Sequence, residues 1–156
     1  MLELIKIFSD GSCLKNPGPG GYSCIIQYNT HEETYSSGFY LTTNNRMELM
    51  GIIIALESLK KCFEIIICTD SQYVNHGISY WIKNWKNKGW KTSKNTIVKN
   101  IDLWMRLEKL LIQHTVTWNW IKSHSGNIQN EKCDYLARQA AKNPIFKDIE
   151  YVISKK

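Results

Sequence analysis

The chain has 156 residues, 43% of them hydrophobic and 22% charged, with a formal net charge of +6 and a pI near 9.0. That length suits one domain with a sizeable core, and the apolar content excludes a disordered basic tail. No apolar run approaches the roughly 18 residues of a membrane helix; the stretch from Gly51 to Leu56, for example, is too short. The start, Met-Leu-Glu-Leu-Ile-Lys, lacks the basic and then apolar regions of a secretory signal. The expectation is a monomeric, cytoplasmic protein that does not touch membranes.

The charge is concentrated. From Ser71 to Ile101 there is no Asp or Glu, while Lys83, Lys86, Lys88, Lys91, Lys94 and Lys99 all fall there. Outside this stretch basic and acidic residues balance, so one segment supplies the whole net charge. It also holds Trp81, Trp85 and Trp90. Lysine and tryptophan together suggest a polyanionic partner; the plainer reading is a solvated helix face. Five cysteines without CxxC spacing, and four scattered histidines, argue for reduced thiols and against a disulfide framework or structural zinc.

In chain order, Leu4–Phe8 reads as a strand ending at Ser9-Asp10-Gly11, and Asn16–Gly21 as a turn-rich loop. Tyr22–Tyr28 and Thr34–Leu41 read as an antiparallel hairpin. Thr42–Asn45 caps a helix over about Arg46–Lys60, with Leu49, Ile52, Ile53, Leu56 and Leu59 as its apolar face. Glu64–Thr69 is a short apolar run suited to a strand buried on both sides. Asp70-Ser71 caps a helix to about His76, punctuated by Gly77; a second helical stretch covers Tyr80–Lys88 and stops at Gly89. Asn100–Gln113 is an amphipathic helix, Thr115–Ile121 a strand, Ser123–Asn130 a loop, and Glu131–Lys142 a last helix stopped before Pro144. The remainder, about 143–156, reads as a C-terminal tail of a single domain. The pattern predicts an α/β fold, a mixed sheet with helices on its faces.

Two strands end alike, Phe8-Ser9-Asp10 and Cys68-Thr69-Asp70. Ligands of open α/β sheets bind beyond the strand ends. If these strands pair in parallel, Asp10 and Asp70 sit side by side and repel unless a cation lies between them. Hard oxygen ligands select Mg²⁺ or Mn²⁺. Glu48, in the first turns of its helix and on the side away from Ile53 and Leu56, and Asp134, near the start of the last helix, are further candidates. Alone, each would be read as an acid favouring a helix N-terminus.

Asp10-Gly11-Ser12, then Thr42-Thr43-Asn44-Asn45-Arg46-Met47-Glu48-Leu49, then Thr69-Asp70-Ser71-Gln72, then Asn130-Glu131-Lys132-Cys133-Asp134 occur in this order. The set closely resembles the bacterial type 1 ribonuclease H family, over about Leu4 to Ala141, with Trp81–Trp90 as its basic helical protrusion. The resemblance implies the ribonuclease H-like fold, a five-stranded mixed sheet with helices on both faces. It implies hydrolysis of the RNA strand of RNA–DNA hybrids, leaving 5′-phosphate and 3′-hydroxyl ends. It makes Asp10, Glu48, Asp70 and Asp134 catalytic carboxylates holding two Mg²⁺ ions (or Mn²⁺), one activating water and one stabilising the leaving oxygen. Asp10, as the end of the central strand, is expected to bridge both. His124, in Lys122-Ser123-His124-Ser125-Gly126, is the flexible-loop histidine, suited to proton transfer or product departure.

The resemblance assigns Asn16, Asn44, Asn45 and Gln72 to the minor groove, where 2′-hydroxyls are read, and Thr43 to a phosphate pocket for the DNA strand. Capping is the plainer role of Thr43, Asn44 and Asn45. Trp81, Trp85, Lys86, Lys88 and Trp90 are the protrusion's contacts with the hybrid, with packing expected of at least one tryptophan. Many relatives have Gly where this chain has Ser123, and a Pro within the stretch here occupied by Asn127–Gln129; both changes touch the His124 loop. Three other readings are a non-catalytic hybrid- or duplex-binding module, an integrase-like nuclease on the same core, and a nucleophile at Cys13 or Cys133. The four acids and the hybrid-reading positions favour ribonuclease H.

Overall fold

A computed structural model describes residues 2–156. Five strands, β1 (Leu4–Cys13), β2 (Gly18–Tyr28), β3 (His31–Thr42), β4 (Glu64–Thr69) and β5 (Thr115–Trp120), form one sheet in the order β3-β2-β1-β4-β5. The hairpin strands β1, β2 and β3 are antiparallel; β1–β4 and β4–β5 are parallel. The expected mixed sheet is therefore present, with β1 at its centre.

Alternation along β1 sorts side chains to two faces. Ile5 and Ile7 join Ile65 and Ile67 beneath α1 (Asn44–Glu57) and α4 (Ile101–Leu111), around the fully buried Trp104. Phe8 joins Ile25 and Cys68 on the other face, against Cys133 of α5 (Ile128–Lys142). Helix α1 is buried on nearly every side, not along one stripe, because β1 and β2 lie under it and α4 beside it. Among the described residues no helix is long and apolar enough to cross a membrane.

The structure departs from the sequence expectations in several places. Gly18–Gly21 is strand, not loop: β2 begins there, with its register shift between Gly18 and Gly20 around Pro19. A bulge accommodates a residue that cannot donate to the ladder. Gly77 does not break the helix; α2 (Gln72–His76) runs through a π-turn at Gly77–Trp81 into α3 (Ile82–Asn87). The Trp104 ring packs where a side chain at Gly77 would stand. Helix α5 starts at Ile128, inside the expected loop, because the Asn127 side chain accepts from Asn130 N–H at 2.8 Å. Residues 143–156 are more than a tail. Tyr40 N–H donates to the Phe146 carbonyl at 2.9 Å, and α6 (Ile149–Ser154) follows, with Asp148 and Tyr151 buried.

Candidate active site

Parallel pairing of β1 and β4 sets Phe8 opposite Cys68, so two residues on Asp10 lies within β1 and Asp70 directly after the end of β4. Asp10 does not end β1, as the sequence suggested; it lies inside the strand, opposite Ser23 of β2. Being in register with Phe8, it faces α5 and hence Asp134. Glu48 comes from α1 on the opposite face. It reaches the group because β1 passes so close that a Cβ on Gly11 would fall 2.4 Å from the Glu48 nitrogen.

Each acid has a protein donor beside it. Gly11 N–H donates to Asp10 Oδ1 at 2.9 Å, Asn44 Nδ2 to Glu48 Oε1 at 2.7 Å, and Ser123 Oγ to Asp70 Oδ2 at 2.9 Å. Arg138, one turn after Asp134, pairs with its Oδ2 at 2.9 Å. Asp10 is 8% exposed. Burial, then the charges of Asp70, Asp134 and Glu48, push its carboxyl up to about 8, against the opposing Gly11 N–H. Glu48 is also raised, first by burial and then by Asp70, with Ser71 and Asn44 pulling the other way. Its Oε2 is buried without a hydrogen-bond partner. Orphaned oxygen and mutually repelling acids fit a divalent cation bound by hard oxygens. Among the described residues no three His, Cys, Asp or Glu side chains are grouped closely enough to hold a metal ion by themselves.

His124 is exposed in the left-handed region (φ 53°), with Nδ1 3.7 Å from Glu131 Oε1. The thiol alternatives lose ground: burial pushes Cys133 up to about 12 and raises Cys13, the reverse of an activated nucleophile.

Six of the remaining residues line two concavities, and Asn44, Gln72, Lys86 and Trp90 line neither. Asn16, Thr43 and Asn45 line one of about 590 Å³, together with Lys99, Asn100 and Lys155. Thr43 also caps α1, accepting from Arg46 N–H at 3.3 Å, and Asn16 Oδ1 accepts from Asn44 N–H at 3.2 Å. Gln72 is exposed at the start of α2. The second concavity, about 380 Å³, has Tyr73, Trp81 and Trp85 as its apolar wall and Lys88, Lys91 and Lys99 as its cations. Trp85 packs on both Trp81 and Trp104, at 5.8 and 5.6 Å between ring centroids, and Trp90 on Trp85 at 6.4 Å. All three protrusion tryptophans therefore carry packing as well as surface. Lys86 is engaged with Glu108 at 2.6 Å and lies outside this groove. The sequence reading did not single out Lys99 for a site, nor Asn100 and Lys155 at all. Lys99 lines both concavities, because Asn100 turns the chain through φ 61° just before α4; an Asn before an apolar-periodic stretch was the available signal.

A family model described as RNase H matches residues 3–142. The chain belongs to the ribonuclease H family. It is 70% identical over 153 residues to a protein named Ribonuclease H from Buchnera aphidicola subsp. Baizongia pistaciae (strain Bp), covering 98% of this chain and 100% of that one. Its fold is similar to that of LC9-RNase H1, described as a type 1 RNase H with the type 2 active-site motif. The TM-score is 0.83 at 30% identity, over 93% of this chain and 75% of that one. It also resembles LC11-RNase H1, solved with an RNA/DNA hybrid, with a TM-score of 0.64 at 22% identity over 88% of this chain and 96% of that one. That last likeness shows the shared ribonuclease H fold alone.

Proposed function

We propose that this chain is a metal-dependent endoribonuclease that hydrolyses the RNA strand of RNA–DNA hybrids, leaving 5′-phosphate and 3′-hydroxyl ends. The carrying observation is Asp10, buried at the centre of the sheet with three other acids acting on it, in a chain whose family match spans 3–142. Asp10, Glu48, Asp70 and Asp134 would hold two divalent ions, Mg²⁺ or in its place Mn²⁺. When bound, such ions activate water and stabilise a leaving oxyanion on phosphorus.

The protein's own part is placement. Gly11 lets Glu48 approach Asp10, and Asn44 orients the Glu48 carboxylate while leaving Oε2 free. Asn16, Asn45 and Gln72 offer short polar side chains suited to 2′-hydroxyls and base edges in a shallow minor groove. Thr43, with Asn100, Lys99 and Lys155 in the same concavity, provides donors and positive charge for a phosphate. The aromatic groove with Lys88 and Lys91 receives backbone from the DNA strand, its rings giving an apolar wall for sugar. His124 moves a proton or assists product departure at the loop. The chain acts as a monomer and in the cytoplasm, and five free cysteines support the second of these readings.

A substrate panel in Mg²⁺ tests this: an RNA–DNA hybrid, duplex RNA and duplex DNA, with the product ends determined. Cutting of the RNA strand of the hybrid alone is expected. Cutting of duplex DNA would move the chain to the integrase-like reading, and binding without cutting to a binding module.

A further inference from the structure

The four acids are not held alike. Gly11 is the chain neighbour of Asp10, while Asn44 and Arg138 stand one helical turn from Glu48 and Asp134. Asp70 is held from far away, by Ser123 Oγ at 2.9 Å across 53 positions. Among the described residues this is the one hydrogen bond its carboxylate receives.

Ser123 begins the turn that carries His124. Ser125 Oγ donates to the Lys122 carbonyl at 2.6 Å and closes that turn. Asn127 then caps α5. Between them His124 sits at φ 53° and Gly126 at φ 90°. A left-handed histidine is uncommon and persists where its flanks fix it. One flank is the Ser125 bond; the other is the tie from Ser123 to Asp70.

We infer that Ser123 is a positioning residue that ties the His124 loop to the Asp70 carboxylate, so that ion binding at Asp70 and the order of that loop are coupled. The inference rests on the reading of Asp70 as an ion-holding carboxylate. An ionised carboxylate has two oxygens and about four acceptor directions. The hydroxyl fixes Oδ2 and leaves Oδ1 to the pocket, as a group behind a metal ligand does. Linkage makes the effect mutual: whatever holds Asp70 in this orientation holds the loop, and whatever orders the loop favours the ion. Glycine at this position could not supply the tie, so the serine gives this chain a contact between ion site and histidine loop that a glycine-bearing chain lacks.

The test is a Mg²⁺ titration of the full chain without nucleic acid, followed by amide NMR shifts and by hydrogen exchange of residues 122–127. Ser123→Ala, Ser123→Thr and Asp70→Asn are compared with the wild type. In the wild type Mg²⁺ is expected to slow exchange at His124 and Ser125. Ser123→Ala should weaken Mg²⁺ binding about tenfold and abolish the ion-dependent protection, while Ser123→Thr, which keeps the hydroxyl, retains both. Unchanged or tighter binding in Ser123→Ala, or wild-type loop exchange indifferent to the ion, overturns the tie while leaving the carboxylate reading standing. A wild type and Asp70→Asn that respond identically to Mg²⁺ overturn that reading, and the tie with it.

Discussion

Arg46 Nε and Nη2 donate to the two carboxylate oxygens of Asp148 at 2.8 and 3.0 Å, joining residues 102 positions apart. Its Nη1 and Nη2 donate to Asp102 at 2.8 and 2.6 Å, and Asp148 Oδ2 also accepts from Thr42 Oγ1 at 2.6 Å. One guanidinium, 4% exposed, thus fastens α1 to α4 and to the C-terminal segment. Since α1 carries Glu48, Thr43 and Asn45, the pairing holds the site's frame.

Breaking a buried pair from one side leaves an uncompensated charge, which costs about 3–5 kcal/mol. Arg46→Ala, which leaves the buried Asp148 carboxylate without its cation, should lower unfolding free energy by about 3–5 kcal/mol in urea titrations. Arg46→Lys should lose most of it too, because an ammonium cannot satisfy two carboxylates bidentately. Burial alone would raise Asp102, yet hydrogen bonding and charge from Arg46 hold it below the usual carboxylate range. Its contribution is therefore present above that range and lost as pH falls through the lowered value. A variant stability unchanged within 1 kcal/mol would contradict this.

The metal-free site should oppose folding as pH rises. Asp10 is pushed from 3.8 to about 8 by burial and then by the neighbouring acids. Between those values the folded chain keeps a proton that the unfolded chain has released. Stability from this group is complete below the lower value and lost as pH rises through the upper one. With a chelator present, Asp10→Asn is expected to be more stable than wild type at pH 8, by on the order of a few kcal/mol, and to show a flatter pH profile. Equal profiles would contradict the crowding of acids around Asp10.

Much of this was legible in the sequence because local and global signals agreed. The continuous apolar run at Ile65–Cys68 marks a strand buried on both faces, and the repeated Ser/Thr-Asp after an apolar run locates Asp10 and Asp70, although β1 continues past Asp10. What was not legible depends on distant partners. Arg46 reads as an exposed helix residue until α4 and the C-terminal segment bring Asp102 and Asp148 to it. The Gly18–Gly21 run carries every local sign of a turn, but β1 and β3 pair with it. Gly77 looks like a stop until Trp104 arrives. The four carboxylates were found as a motif by resemblance. Their inequality, with Asp10 raised and Glu48 left with an orphan oxygen, emerges only from burial.

Binding of hybrid by the protrusion should depend on salt. Were four of its six lysines to neutralise phosphates, log affinity would fall against log salt with a slope of about −3 to −4. Lys88→Ala and Lys91→Ala should each reduce the slope by about 1. Lys86→Ala should reduce it less, because Lys86 is already paired with Glu108. Fluorescence anisotropy across a salt series measures this, and a flat dependence would remove the protrusion from substrate binding.

His124 is exposed and outside the carboxylate group, so on the proposed reading it is expected to assist without being indispensable. Its replacement by Ala should lower turnover by about 10² or less, the lower end of acid–base contributions, and leave detectable cleavage. Asp10→Asn should abolish cleavage. Equal, complete loss in both variants under multiple-turnover conditions would contradict that ordering.

The central claim is that the carboxylates gathered where β1 runs past the end of β4 hold the ions that cleave RNA in a hybrid. Steady-state cleavage of an RNA–DNA hybrid in Mg²⁺ by wild type and Asp70→Asn tests it most directly. Asparagine keeps the shape and size of the side chain while removing the charge. The account predicts Mg²⁺-dependent cleavage by the wild type and none detectable by the variant. Full cleavage by Asp70→Asn would contradict it.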